Sequence, residues 1–351
     1  MNFKNSPWQA EIILEDNLLD DEGNLLHTGF SRHPFLKYDR KRVKAKPSRI
    51  KEWDYYLIYN KNFGLALTVA DNGYMGMLSA TILDFKKPCE KTKSVITWFP
   101  MGKFNMPSSS LVGDVVYSNN KVSAKFEIVG KKRNLQFVFK NFKDKKDLIA
   151  KIELSCEPKE SMVIATPFDK PKHFYYNQKI IGFKAQGKVC LGEDEIMQFN
   201  EDNSRGILDW GRGVWPYKNT WYWGAACGDY DGHELGFNIG YGFGNTKSGT
   251  ENMIFYDGVA HKLEHINIEI SSLNKKNERY MLPWKITSSD GRFEMDFIPI
   301  IDRFSNTDIG IIGSNQHQVF GVYTGKLVLD NGKEINIKNF LGFAEKVVNK
   351  W

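Results

Sequence analysis

The sequence predicts an all-β protein built as two antiparallel β-barrels packed together, and three observations carry that expectation. Apolar residues recur at every second place in Lys125-Phe126-Glu127-Ile128-Val129, Gln136-Phe137-Val138-Phe139-Lys140, His265-Ile266-Asn267-Ile268-Glu269-Ile270 and Arg292-Phe293-Glu294-Met295-Asp296-Phe297. That is the period of a strand with one face in and one face out, and no sustained helical period competes with it. Between such runs stand Asn72-Gly73, Asp231-Gly232, Asp257-Gly258, Asp290-Gly291 and Asn331-Gly332, whose glycines accept the positive φ of a tight hairpin. Thirdly, so many strands in one chain create edges, and closing the sheets into barrels removes them.

The 351 residues suffice for one large β domain or two ordinary ones, either with a full core of its own. No linker rich in proline, glycine or serine divides the chain, and no short repeat is present. The alternation is interrupted between 165 and 190, where Pro167 and Pro171 separate Ser161-Met162-Val163-Ile164-Ala165 from Lys179-Ile180-Ile181-Gly182-Phe183. This predicts an N-terminal barrel over 1–175 and a C-terminal barrel over 176–351, each of roughly eight to ten strands.

Cys89, Cys156, Cys190 and Cys227 are scattered and form no Cys-x-x-Cys pair, which suits free thiols in a reducing compartment and offers no zinc ribbon. The first residues lack an apolar run behind a charge, and nowhere do about eighteen apolar residues follow one another. The expectation is a cytoplasmic protein without stable membrane insertion. Lysine and arginine number 48 against 42 acids, a net charge of +6, part of it concentrated in Lys37 and Arg40-Lys41-Arg42-Val43-Lys44-Ala45-Lys46. Such a run is a solvated loop or a weak contact for an anionic surface over residues 37–46, and no stacking motif beside it points to nucleic acid.

Between Asp209 and Trp223 the chain reads Asp-Trp-Gly-Arg-Gly-Val-Trp-Pro-Tyr-Lys-Asn-Thr-Trp-Tyr-Trp and holds four of its nine tryptophans. Rings supply contact area and a few polar groups supply orientation, which is the composition of a concave site for a small molecule. Asp209 and Arg212 separate this reading from a plain core cluster, because charged groups are seldom buried without a partner. The expected ligand-binding residues are Arg212, Trp215, Tyr217, Trp221 and Trp223, joined by Asn238, Asn252 and His261 further along the chain.

Glu251-Asn252 follows the loop Asn245-Thr246-Lys247-Ser248-Gly249-Thr250 and precedes the strand-like Met253-Ile254-Phe255-Tyr256, which places a carboxyl and a carboxamide at a barrel rim, within reach of the strand carrying Asn238. His261-Lys262-Leu263-Glu264-His265 has the spacing of a zinc-peptidase helix, but a turn precedes it and an alternating strand follows, so no metal is expected and His261 is read as a polar group at the cavity mouth or on the surface. Gly236-Phe237-Asn238-Ile239-Gly240-Tyr241-Gly242-Phe243-Gly244 lacks the spacing of a phosphate loop and reads as a sharply curved strand. Asp229-Tyr230-Asp231-Gly232 reads as a turn, and Glu345 in Gly342-Phe343-Ala344-Glu345 is a weaker repeat of the lone acid among apolar residues.

Arg205 through Trp223, the Gly236–Gly244 segment, Glu251-Asn252, Asp257-Gly258 with His261-Lys262-Leu263, Gln318-Val319-Phe320-Gly321 and Gly342-Phe343-Ala344-Glu345 together resemble the domain-of-unknown-function family 2804. That family is similar to the calycin-like, lipocalin-like twin-barrel proteins that include carotenoid hydratase and tocopherol cyclase. The resemblance implies the double barrel and brings no catalytic residue that can be carried onto this chain.

Three functions fit these residues. The first is a cofactor-free acid–base enzyme acting on a hydrophobic, lipid-like molecule, in which Asp209 or Glu251 stays protonated by burial and the rings of Trp215, Trp221 and Trp223 stabilise developing positive charge. In that scheme Arg212 orients the partner carboxylate or a polar substrate end. The second is glycan processing, with tryptophans stacked on a sugar and two carboxyl groups about 5–9.5 Å apart. The third is a lipid carrier or sensor with no reactive group.

Overall fold

The computed structural model describes residues 8–272, 278–308, 310 and 313–350. Among them there is no α-helix, and strands account for almost all regular structure. The first large sheet takes the order Cys89–Trp98, Met75–Asp84, Phe63–Asp71, Lys51–Tyr59, Arg205–Val214, Phe174–Leu191, Lys146–Ser155, Lys132–Lys143, Val122–Val129 and Val115–Ser118, with three short strands off this path. The second takes the order Val259–Lys262, Met253–Tyr256, His233–Tyr241, Lys218–Tyr230, Glu334–Lys350, Gly313–Val328, Phe293–Asp308, Trp284–Ser288 and Ile266–Glu269. Its two end strands are joined by Leu263-Glu264-His265 alone, so the sheet curls until its edges lie near each other. The expected pair of packed antiparallel barrels is present as two curled antiparallel half-barrel sheets.

Hairpin chemistry explains the meander. Asp231 and Gly232 have φ of 49° and 81°, and Asp257 and Gly258 have 49° and 78°, the two successive left-handed residues of a type I′ turn, which matches strand twist. Alternation then fills each curl: Leu135, Phe137 and Phe139 point into the first core with Leu65, Leu67 and Phe183, while Phe237, Phe293, Met295 and Tyr323 form the second. A third apolar cluster belongs to neither interior. Tyr55, Leu57, Tyr59 and Ile207 of the first sheet pack against Trp223, Cys227, Phe320 and Phe343 of the second and make the seam. Polar links cross it too. The Tyr59 hydroxyl accepts from the Cys227 amide at 2.7 Å and donates to its carbonyl at 3.0 Å, and Arg205 pairs with Asp229.

The chain does not change sheets near residue 175. Phe174–Leu191 and Arg205–Val214 are neighbours inside the first sheet, and the passage to the second comes across Trp215-Pro216-Tyr217. The proline interruption at 167–171 marks a hairpin end within that sheet, because Met162–Pro167 pairs antiparallel with the strand starting at Phe174. The aromatic segment therefore straddles the two sheets.

Candidate functional site

A cavity of about 200 Å³ opens at this seam. Strand parity decides which side chains reach it. Along Arg205–Val214, Asp209 points to the seam while Trp210, Arg212 and Val214 turn to the opposite face. From the neighbouring strands come Trp53, Tyr55, Tyr175 and Lys179, and from the second sheet Trp221, Trp223, Gln318 and Glu345. Loop residues Trp215, Phe243 and Glu251 complete the wall. Phe243 is the ring on which the others lean: Tyr175, Trp215 and Trp221 each meet it edge-on at 4.8–5.3 Å.

The polar floor is built around Lys179. Its ammonium donates to Asp209 Oδ1 at 2.9 Å, lies 3.9 Å from Glu251 Oε2 and sits 4.1 Å above the ring of Trp223. Asp209 takes two further donors, Asn177 Nδ2 at 2.6 Å on Oδ1 and Trp53 Nε1 at 3.2 Å on Oδ2. Three donors on two oxygens are the surroundings of a carboxylate acting only as acceptor.

The other two acids differ. Burial raises Glu251 above the ordinary glutamate range against the pull of Lys179, with Asp209 adding to the rise. Its Oε2 is buried with no hydrogen-bond partner among the described residues, and its Oε1 lies so near Gly240 that a Cβ there would stand 2.7 Å away. Burial also raises Glu345, to about 7, although Trp221 Nε1 donates to Oε1 at 2.8 Å and Gln318 Nε2 to Oε2 at 3.0 Å. Arg303 stands at the half-buried rim and donates to Gln318 Oε1 at 2.8 Å. The arrangement can hold a small, largely apolar molecule against rings while offering it protonatable carboxyls and one ammonium.

Of the residues expected from sequence, Asp209, Glu251, Trp215, Trp221 and Trp223 line the cavity. Asn238 stands behind it, accepting from Trp223 Nε1 at 2.7 Å and donating to the Glu251 carbonyl at 2.7 Å, so it positions both. Asn252 is also outside the lining: it accepts from the Gly240 amide and donates to the Glu264 carbonyl.

Three further expected residues lie away from the cavity altogether. Arg212 is wholly buried inside the first half-barrel, held by Asp54 Oδ1 at 3.2 Å and the carbonyls of Trp53, Gly211 and Pro107, because an even-numbered residue on this strand cannot share a face with Asp209. Tyr217 is 42% exposed in the crossing segment. His261 lies at the far end of its sheet with its Nδ1 3.4 Å from Asp330 Oδ2.

Sequence reasoning missed Lys179, Trp53, Tyr55 and Tyr175. Lys179 does carry a signal, since Asn177-Gln178-Lys179 interrupts a buried apolar run, and three polar residues in such a strand require partners.

No curated protein matches the sequence. Among solved structures the chain is similar to an AttH-like protein from Nitrosomonas europaea, with a TM-score of 0.54 and 10% identity over 91% of this chain and 98% of that one. It is also similar to kievitone hydratase from Nectria haematococca, with a TM-score of 0.49 and 9% identity over 96% and 98% of the two chains. The first likeness is one of fold, and it accords with the twin half-barrel that the two curled sheets form. A family model for a domain of unknown function, number 2804, matches residues 9–351, and the chain belongs to that family.

Proposed function

We propose that the protein is a cofactor-free acid–base enzyme of the hydratase or isomerase kind, acting on a hydrophobic small molecule that carries a carbonyl in conjugation with an alkene. The observation that carries this reading is the pair of buried glutamates raised by their surroundings, Glu251 and Glu345, facing one aromatic-lined cavity around a buried ammonium.

The sign of the fixed charge selects among reactions. Lys179 already occupies the face of Trp223, so that ring is not available to a substrate cation, and an ammonium beside the reacting carbon opposes developing positive charge. An enolate is stabilised in the same place. In this scheme the substrate carbonyl lies near Lys179, with Asp209 holding that ammonium in position. One of the two glutamates protonates the α-carbon, and the other removes a γ-proton or activates water. Tuned near neutrality, Glu345 suits the group that both gives and takes a proton. Glycan hydrolysis fits less well, because Lys179 stands between Asp209 and Glu251 where a paired-carboxyl mechanism places substrate.

The test is solvent deuterium incorporation. In D2O the protein should label the α- or γ-carbon of aryl or prenyl enones, leave unconjugated isoprenoid alkenes unlabelled, and lose about 100-fold or more in rate in Glu345→Gln and Glu251→Gln. Intrinsic tryptophan quenching should report nearly unchanged ligand affinity in the same variants. Unlabelled enones with retained binding would leave a carrier in place of an enzyme.

A further inference from the structure

We propose that the surface flanking the cavity mouth docks on an anionic lipid bilayer, from which the cavity draws its apolar ligand. The second half of this inference rests on the cavity being a site for an apolar molecule; the docking does not.

Residues directly opposite one another on antiparallel strands share a face of the sheet. In the first sheet Gly211 faces Trp53, Trp53 faces Ala70, Ala70 faces Met77 and Met77 faces Ile96. Trp53, Ala70 and Met77 line the cavity. Ile96 is exposed, as is Trp98 two places along on the same face of this edge strand, at 59%. Phe99 at 58% and Met101 at 43% follow in the loop. The apolar track that lines the cavity thus continues out of it onto the surface.

The backbone of the loop holds these side chains outward. Phe99 and Met101 have φ of 53° and 50°, a left-handed conformation that large side chains rarely adopt. It is pinned by the Phe99 amide to the Tyr74 carbonyl at 2.9 Å, the Met101 amide to the Gly73 carbonyl at 3.0 Å, and the Gly102 amide to Asp71 Oδ2 at 2.8 Å. Backbone strain that holds large apolar groups out to water marks this loop as the proposed contact surface.

Charge identifies the partner. The guanidinium of Arg40 packs against Gly102, so near that a Cβ there would stand 2.6 Å from its Nε, and this brings the 37–46 basic segment alongside the loop. Lys41, Lys46 and Lys103 are exposed. Within the segment Lys37 pairs with Glu15, Arg40 with Glu52 and Arg42 with Asp21, while Asp71 and Asp39 accept from backbone amides, so the outward positive charge rests on the exposed lysines. Tryptophan and phenylalanine beside lysines match the boundary between acyl chains and anionic headgroups, which no uncharged surface and no basic protein face would match.

Co-sedimentation with vesicles tests this on the intact protein. Wild type should bind equimolar phosphatidylcholine–phosphatidylglycerol vesicles and bind pure phosphatidylcholine at least about tenfold more weakly. Trp98→Ser/Phe99→Ser and Lys41→Glu/Lys46→Glu should each lower binding to the anionic vesicles by about tenfold or more, with circular dichroism and thermal midpoint unchanged. Wild type that ignores both vesicles, or variants that bind as wild type does, would overturn the proposal. So would a concentration-dependent dimer abolished by Trp98→Ser/Phe99→Ser in a protein indifferent to vesicles, which would assign the patch to a second copy of this chain. Vesicle binding without enone labelling removes the enzymatic reading alone, and labelling without vesicle binding removes docking alone.

Discussion

At Glu345 burial overcomes two good hydrogen bonds, so the carboxyl titrates near 7 in place of its ordinary 4.5. A folded-state value above the unfolded one means that the native protein holds the extra proton in between. The contribution of Glu345 to stability is therefore fully present below the unfolded value and is lost as pH rises through 4.5 towards 7. Glu251 is shifted in the same direction. Urea unfolding across this window should show a Glu345-dependent loss on the order of 3 kcal/mol in wild type relative to Glu345→Gln. A pH-independent difference between the two proteins would place the titration elsewhere. In sequence Glu345 looks like a lesser repeat of Glu251, because its two donors come from residues 221 and 318, far along the chain. The two glutamates are equals only once the sheets are assembled.

Strand alternation separates what is legible in the sequence from what is not. Asp209 and the tryptophans stand out as an unusual cluster, yet the same two-residue period that reveals the strands also places Arg212 opposite Asp209, so the strand period alone suffices to exclude it from the site. His261 fails for a different reason: local pattern fixes a strand but not which end of a sheet it occupies. Trp53 shows the limit most clearly, since it reaches the cavity from a strand whose pairing with Arg205–Val214 spans most of the first sheet's sequence. Its indole packs against Gly211, where a Cβ would stand 2.0 Å from Trp53 Cζ2. Gly211→Ala must displace that indole, and with it the donor to Asp209 Oδ2. The expected result is a loss of about 1–3 kcal/mol in stability by denaturant titration, together with weaker ligand binding. Unchanged affinity would remove Trp53 from the binding wall.

Two half-barrels usually suggest two independently melting units, but here the apolar seam is a core in its own right, tied across by Tyr59, Cys227, Arg205 and Asp229. Calorimetry should record one transition with matching calorimetric and van't Hoff enthalpies, and two resolved peaks would show the seam to be weak. The twin-barrel class is readable from alternation and turns because both are local, whereas the true crossing at Trp215-Pro216-Tyr217 is not. A proline at a crossing looks like a proline at a hairpin end. Because the cavity wall belongs to the seam and not to either interior, its rings can be exchanged without touching the packing that folds each half. Divergent members of such a lineage are thereby free to recut the pocket for new molecules while inheriting an untouched scaffold.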